Sequence, residues 1–212
     1  MAESQQDAAA RRLRDTSRLE AFSDGVIAIA ITLLVLEVHV PDPGDVTSER
    51  ALWHALGQLW PSYVGYLISF ITIGIMWANH HRIFTMIGQY DHNLIVLNLL
   101  LLLCIGFIPF TTDLLAEYLG EPGEQTAAIV YAGWFFVTAI IYNVLWRYLR
   151  HKPILFMPEV DKTVVLTITQ RFNFGPPAYL ISFVLAFFSV EASLGLQAFL
   201  AVLYLLPIGR DQ

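Results

Sequence analysis

The chain has 212 residues, of which 56% are hydrophobic and only 14% are charged, and its formal net charge at pH 7 is −6. Soluble domains carry about a quarter charged residues, so this composition excludes an ordinary soluble domain and is typical of an integral membrane protein. The one cysteine, Cys104, lies inside an apolar run, which excludes a disulfide framework.

The apolar runs predict an all-α membrane protein. Residues 1–15 are polar and rich in Ala, Gln and Arg, and no cleavage site follows the first apolar run, so we expect a mobile cytoplasmic tail rather than a signal peptide. Residues 16–209 are expected to form one transmembrane domain, although the last two apolar runs, 178–190 and 194–206, have only about 13 residues each, short of the about 20 that a span needs. The six predicted spans cover about residues 18–40, 61–86, 93–117, 126–149, 163–190 and 192–208.

Helix-breaking residues shape the later spans. Gly106 and Pro109 are expected to bend the third span. The Gly-Pro-Pro sequence at residues 175–177 is expected to break any helix there. The fifth span is therefore predicted to extend backwards through residues 163–174 across a kink, and a re-entrant hairpin in place of spans five and six is the alternative.

Positive charge is strongly asymmetric in this six-span arrangement. Arg50 is the one basic side chain on the outer side, where it accompanies a group of Asp and Glu residues. Every other Lys and Arg falls on the opposite side, which is cytoplasmic by the positive-inside rule. Both termini are therefore predicted to be cytoplasmic.

The first span presents two different faces. At about 100° per residue, one face is an aliphatic stripe with Thr32 at its edge, and the stripe consists of Phe22, Ile29, Leu33, Leu36 and Val40. Asp24 projects about 140° away from Ile29, so its carboxylate does not belong to the same surface. Such a stripe meets lipid, packs in a core or lines a pore, and the residues alone leave these interpretations open.

Asp24 also has more than one interpretation. An ionisable residue at the edge of a span is usually functional or paired, and the candidate partners are Arg18, His80 and His81. Together with Ser23 it also fits a helix N-cap. A titrating ion or proton site is the third interpretation.

A signature extends through the first two spans. It consists of Arg18 and the triplet Phe22-Ser23-Asp24, followed by Ile29, Thr32, Leu33, Leu36 and Glu37. The second span contributes Gly74-x-x-Trp77-x-x-His80-His81-x-x-Phe84. Together these residues resemble the bacterial relatives of the endo-lysosomal potassium channel known as transmembrane protein 175. The resemblance covers essentially the whole chain, and spans three to six match mainly in hydropathy.

The resemblance implies a fold in which one six-helix repeat per chain assembles as a homotetramer around a central pore lined by the first helix. It implies a hydrophobic constriction formed by Ile29, Leu33 and Leu36, with Thr32 adding a ring of hydroxyl groups to the ion path. It also implies a network that ties the first helix to its neighbours, at Arg18, Phe22, Ser23, Asp24, Trp77 and His81, with His80 as an additional candidate. Glu37 ends the pore helix just beyond Leu36 and is a candidate for the outer vestibule.

The expected function is that of a leak-type, potassium-permeable cation channel with a modest preference for K⁺ over Na⁺, in the plasma (inner) membrane of a bacterium. The expected partners are other copies of the chain, the lipid bilayer and monovalent cations, with no nucleic acid and no cofactor besides the permeating K⁺. The alternative is a secondary transporter or proton pathway that uses Asp24, His81 and Glu37. Enzymatic activity is not expected, because no nucleophile–base or metal constellation stands out.

Two patterns are interpreted as coincidental. The Tyr-Val-Gly-Tyr sequence at residues 63–66 is similar to the core of the usual potassium filter, but it lies in a continuous apolar helix whose carbonyl groups do not line a path. His80, His81 and His92 lack the His-Glu-x-x-His spacing, and adjacent His residues on a helix point about 100° apart, so no metal site is expected.

Overall fold

A computed structural model describes the backbone of residues 2–205 and the side chains of residues 16–205. Within these residues the chain folds into eight α-helices: α1 (Ala2–Leu33), α2 (Glu49–Gln58), α3 (Trp60–Phe84), α4 (His92–Gly106), α5 (Ile108–Tyr118), α6 (Glu124–His151), α7 (Lys162–Leu185) and α8 (Val190–Leu205). Two short 3₁₀ helices, Leu34–Glu37 and Pro153–Leu155, follow α1 and α6. The predicted all-α class is confirmed.

Four helical segments among the described residues are long and apolar enough to cross a membrane. They are Thr16–Glu37, Trp60–Phe84, His92–Tyr118 and Glu124–His151. These segments coincide with the first four predicted spans. The segment α8 is apolar but shorter, and α7 is not among the four. The fifth and sixth crossings therefore stay predictions, and residues 206–208 of the sixth lie outside the described residues.

The first helix differs from its prediction at both ends. It begins at Ala2 and so includes most of the segment that we expected to be a tail, whose mobility stays a prediction. It ends at Leu33, and the 3₁₀ turn Leu34–Glu37 continues it, whereas residues 38–40 are not helical. The helical part of the first span therefore ends at Glu37.

The third predicted span consists of two helices. Phe107 separates α4 from α5, at the place where Gly106 and Pro109 predict a bend. Pro109 lies in the first turn of α5, where a backbone N–H has no partner within the helix and its absence is tolerated. A bend rather than an exit from the membrane follows, since the combined segment His92–Tyr118 remains one candidate span.

The predicted break of the fifth span at residues 175–177 is wrong, because α7 continues through both prolines. Pro176 has no N–H to donate to the carbonyl of Phe172 one turn earlier. Asn143 of α6 donates from Nδ2 to that carbonyl at 2.7 Å instead. A neighbouring helix thus replaces the bond that the proline removes, and α7 runs from residue 162 as its backward extension predicts. It ends at Leu185, and Val190 already belongs to α8, so the predicted boundary between spans five and six lies a few residues too late.

The helices pack around α6, which contacts α4, α5, α7 and α8. Tyr131, Phe135 and Trp146 of α6 are among the largest fully buried side chains. Cys104 of α4 is buried beside α6, where its carbonyl accepts a hydrogen bond from Trp134 Nε1 at 2.8 Å. The helix α1 packs against α3, α4 and α5 and has no comparable contact with α6, α7 or α8 in the described part of the chain. It is therefore attached at one side of the bundle.

Asp91 links the start of α4 to the end of α6. It caps α4 by accepting from the backbone N–H of Leu94 at 3.0 Å. Its second carboxylate oxygen accepts from the hydroxyl of Tyr148 and from Nζ of Lys152, both at 2.6 Å. Hydrogen bonds from Lys152 and then Tyr148 lower the pKa of Asp91 to about 2.

We expect the Asp91→Asn variant, which keeps the cap but loses the charge, to be less stable by about 0.5–1 kcal/mol at neutral pH, because the ion pair is partly exposed. The pKa of Asp91 in the folded protein lies below its ordinary value, so this stabilisation is complete above about pH 4 and is lost as the pH falls through about 2. Thermal unfolding in detergent as a function of pH measures it. A deficit that does not shrink toward acid pH contradicts this role.

Candidate functional site

The two faces of α1 have opposite environments in the structure. Ser23, Ile27, Ala30 and Leu34 are almost completely buried against the bundle. The aliphatic stripe points away from it: the exposed fractions are 61% for Ile29, 40% for Leu33 and 66% for Leu36, and Phe22 and Val40 are exposed as well. The stripe that was found from periodicity is thus the face of α1 that the chain does not use for its own core.

Thr32 places a polar group on this exposed face. Its hydroxyl donates to the backbone carbonyl of Ile29 at 2.8 Å. A hydroxyl oxygen keeps two acceptor lone pairs after it has donated its proton. Thr32 therefore presents an oxygen that is oriented by the helix and open to a cation beside the stripe.

A buried polar network fixes the opposite face. Asn98 of α4 donates from Nδ2 to Ser23 Oγ at 2.9 Å, and Ser23 in turn donates to the carbonyl of Leu19. Asn98 Oδ1 lies 2.9 Å from Nε2 of His80, a residue of α3 that is 1% exposed. Because Asn98 uses its nitrogen on Ser23, its oxygen requires a donor, which assigns the proton of the His80 ring to Nε2. Three helices are thus joined through one amide.

A second layer of contacts joins α1 to α3 near the surface. Trp77 donates from Nε1 to Asp24 Oδ1 at 3.0 Å. His81 Nδ1 lies 2.8 Å from Glu20 Oε1, and its ring stacks on Trp77 with centroids 5.9 Å apart. Asp24 therefore has a partner on a neighbouring helix, and it lies apart from the aliphatic stripe.

The structure brings together most of the predicted network residues. Ser23, Asp24, Trp77, His81 and the additional candidate His80 all make contacts between helices. Arg18 and Phe22 are exposed, and neither side chain makes a hydrogen bond or ion pair with residues 16–205.

Two members of the network were not among the predicted site residues. Asn98 is a lone amide within the apolar run of α4, a pattern that indicates only an interhelical hydrogen bond. Glu20 lies one turn before Asp24 on the same helix face, and this spacing could have indicated that Glu20 belongs to the network.

Ionisable groups cluster at the C-terminal end of the first span, beside the 3₁₀ helix Leu34–Glu37. Glu37 lies close enough to Asp113, on α5, for their carboxyl groups to interact electrostatically. Glu117 of the same helix lies 3.7 Å from Nδ1 of His39. One oxygen of Asp113 is buried and has no hydrogen-bond partner among the described residues. The cluster leaves negative charge just beyond the stripe, and sequence reasoning missed Asp113 because only the fold brings α5 to this end of α1.

Comparisons of the sequence and of the structure with known proteins all lead to the same family. The sequence model of the family described as "Endosomal/lysosomal potassium channel TMEM175" matches residues 18–109, which include both faces of α1 and the buried network. A potassium channel of Chamaesiphon minutus is 46% identical over 192 residues, covering 91% of this chain and 94% of that protein. A potassium channel of Streptomyces collinus is 42% identical over 193 residues, covering 91% of this chain and 92% of that protein. The crystal structure of a lysosomal potassium-selective channel TMEM175 homolog from Chamaesiphon minutus superposes with a TM-score of 0.82, covering 91% of this chain and 97% of that chain.

Proposed function

We propose that this chain, which belongs to the TMEM175 family of potassium channels, forms a leak-type, potassium-permeable cation channel whose ion path is lined by α1. Membership of this family makes the protein a membrane channel and not an enzyme. We also propose the course of the conduction path, its constriction and its degree of selectivity, each supported by the geometry of α1.

One observation carries the proposal: the exposed stripe of α1 joins a hydroxyl group and an acidic cluster. Many other helix faces of the chain expose aliphatic side chains, as a lipid-facing surface does. The α1 stripe differs because Thr32 lies on it and because Glu37 and Asp113 lie at its outer end. Ionisable groups in this place are costly against lipid but favourable at the mouth of a hydrated cation path.

Several copies of the chain are required to enclose such a path, because one stripe covers only one side of it. The family resemblance implies four copies around a central axis. Four Ile29 side chains meeting on that axis would form a dry neck, with Leu33 and Leu36 continuing it toward the outer side. We propose this ring as the hydrophobic constriction. No cofactor is needed, since the permeating K⁺ is the only ligand of the path.

The charge distribution supports six crossings with both termini in the cytoplasm of a bacterial cell. Arg82 lies in the last turn of α3 and Arg150 in the last turn of α6, and Lys162 begins α7. These helix ends are at the same end of the bundle, since Gly88 donates to the carbonyl of Leu155 across the two connecting segments. With this basic end inside, α7 and α8 complete an even number of crossings.

Potassium flux into liposomes tests the proposal directly. We expect purified protein to pass K⁺ down its gradient, with no co-substrate and no dependence on a proton gradient. Flux that requires a proton gradient would instead favour the transporter or proton pathway. Asp24 and Glu37 are separated by about 20 Å along α1, so they do not form one coupling site with His81, and the channel is the better supported function.

Thr32→Val is expected to reduce the preference for K⁺ over Na⁺ while leaving the protein folded, because valine keeps the shape but removes the exposed oxygen. The neutral hydroxyl is a weak ligand, so we expect a reduction of a few-fold in the permeability ratio. Reversal potentials under bi-ionic conditions measure it. Thr167→Val is a matched control, because that hydroxyl makes the same type of bond to a helix carbonyl, on the exposed surface of α7. An unchanged ratio in Thr32→Val would remove Thr32 from the selectivity mechanism.

A further inference from the structure

A pocket of about 240 Å³ lies between α3, α6, α7 and α8, away from α1. Its two ends differ in chemistry. One end is lined by Arg82 and Asn79 of α3, Arg171 of α7 and Tyr204 of α8. The remaining wall is mainly apolar. The pocket thus has a cationic, hydrogen-bonding end and a hydrophobic end, which is the polarity of an anionic amphiphile.

The polar end offers donors that the fold leaves available. Neither the amide of Asn79 nor the hydroxyl of Tyr204 makes a hydrogen bond to any residue of the described chain. Both arginines also take part in other contacts, and each guanidinium group carries five N–H donors. Arginine forks match phosphate oxygens in geometry as well as charge.

Gly175 keeps this end open. A Cβ atom built on Gly175 would be in van der Waals contact with the Tyr204 hydroxyl, at 3.8 Å. The glycine therefore leaves space beside that hydroxyl, one turn away from Arg171 on α7.

The hydrophobic end argues for a lipid rather than a soluble anion. Ile75 and Met76 of α3, Ala139 of α6 and Pro176 of α7 form much of this wall. A free phosphate would bind only the polar end and leave the apolar wall unused. A membrane phospholipid uses both, since its headgroup lies at the helix ends and its acyl chains lie along the helices.

The position of the pocket fits a headgroup. Arg82 lies in the last turn of α3, at the end of a candidate membrane span, and Tyr204 lies near the end of α8. This is the basic end of the bundle, which we assign to the cytoplasm. Basic pockets between helices on that side bind anionic headgroups, and the cytoplasmic leaflet supplies them. We propose that the pocket binds the phosphate headgroup of an anionic membrane phospholipid through Arg82 and Arg171, with its acyl chains against the apolar wall.

Native mass spectrometry of the detergent-purified protein tests the proposal with phosphatidylglycerol, phosphatidylcholine and inorganic phosphate as probes. We expect phosphatidylglycerol to remain bound in preference to phosphatidylcholine. The double variant Arg82→Gln/Arg171→Gln should bind at least about tenfold more weakly, since each basic residue near the membrane surface contributes about fivefold. Arg147→Gln, which removes an exposed charge at the same end but outside the pocket, is the matched control and should bind as the unmodified chain does.

Two further variants keep the test decisive if the double variant fails to fold. Tyr204→Phe removes only the hydroxyl group, which makes no hydrogen bond within residues 16–205, and should weaken phosphatidylglycerol binding a few-fold. Ala139→Leu fills the apolar wall and should weaken lipid binding without touching a charge. Equal retention of both lipids, equal retention by the unmodified chain and the arginine variants, or displacement of lipid by millimolar inorganic phosphate would each overturn the proposal. Binding is measured without ion flux, so this outcome is independent of whether the protein conducts K⁺.

Discussion

Replacing Ile29 with Asn is expected to raise the single-channel conductance at least severalfold and to increase the open fraction. A ring of isoleucine side chains excludes water from a narrow neck, and an ion that has lost its hydration shell there gains no ligands in return. Asparagine has a similar size but holds water through its amide, so the neck becomes wet. The change is not expected to unfold the protein, because Ile29 is 61% exposed and contributes little to the core of its own chain.

Single-channel recording in planar bilayers measures this effect, and Val35→Asn is the matched control. Val35 is 55% exposed and lies on the same N-terminal segment, but about 90° away from Ile29 around the helix axis, because the chain turns more tightly in the 3₁₀ helix. A polar residue there should leave the conductance unchanged. If Ile29→Asn behaves like the control, the constriction lies elsewhere. If both variants raise the conductance, the effect is not specific to the side chains of the stripe.

Replacing Asn98 with Leu is expected to destabilise the folded chain by about 1–3 kcal/mol and to loosen α1 from the bundle. The variant leaves the buried Nε2–H of His80 without an acceptor and removes the donor to Ser23. An unsatisfied buried donor costs about 1–3 kcal/mol in soluble proteins. Interhelical hydrogen bonds in membranes average about 0.6 kcal/mol. Two such bonds together account for about 1.2 kcal/mol, near the lower limit of the range, and the unsatisfied donor of His80 accounts for values above it.

Thermal unfolding in detergent measures the loss, and Asn93→Leu is the matched control. It makes the same chemical change on the same helix, at an exposed residue. The double variant His80→Phe/Asn98→Leu should recover part of the stability, because replacing both partners by apolar groups removes the unsatisfied donor. A loss that is equal for Asn98→Leu and Asn93→Leu, or a double variant whose losses simply add, would contradict the network.

The features that depend on a single helix were predicted correctly from local periodicity. The stripe of Ile29, Leu33 and Leu36 and its separation from Asp24 follow from about 100° per residue, and the exposures agree. The choice between His80 and His81 does not follow in this way. The sequence favoured His81, whereas His80 is the buried member that contacts Asn98, and His81 is exposed and contacts Glu20. Which of two adjacent residues faces inward depends on where α4 lies.

Features that depend on contacts between two helices were not predicted from local sequence patterns. The course of α7 through its prolines depends on an amide of α6, and the charge at the C-terminal end of the first span depends on Asp113 from α5. A helix-breaking sequence predicts a break only if no neighbour restores the lost bond. The number of copies around the axis likewise depends on contacts between chains, and the four copies that we propose follow from the family resemblance alone.

The burial of Cys104 makes the protein convenient for chemical labelling. It is the one cysteine in the chain, and it is 6% exposed within an apolar helix, so its thiol is poorly accessible to water-soluble reagents. A cysteine introduced singly at residue 29, 32, 33 or 36 would then be the dominant reactive thiol without removal of the native one. The reaction of these cysteines with thiol reagents of increasing diameter, added from either side, would measure the width of the proposed path while Cys104 is kept.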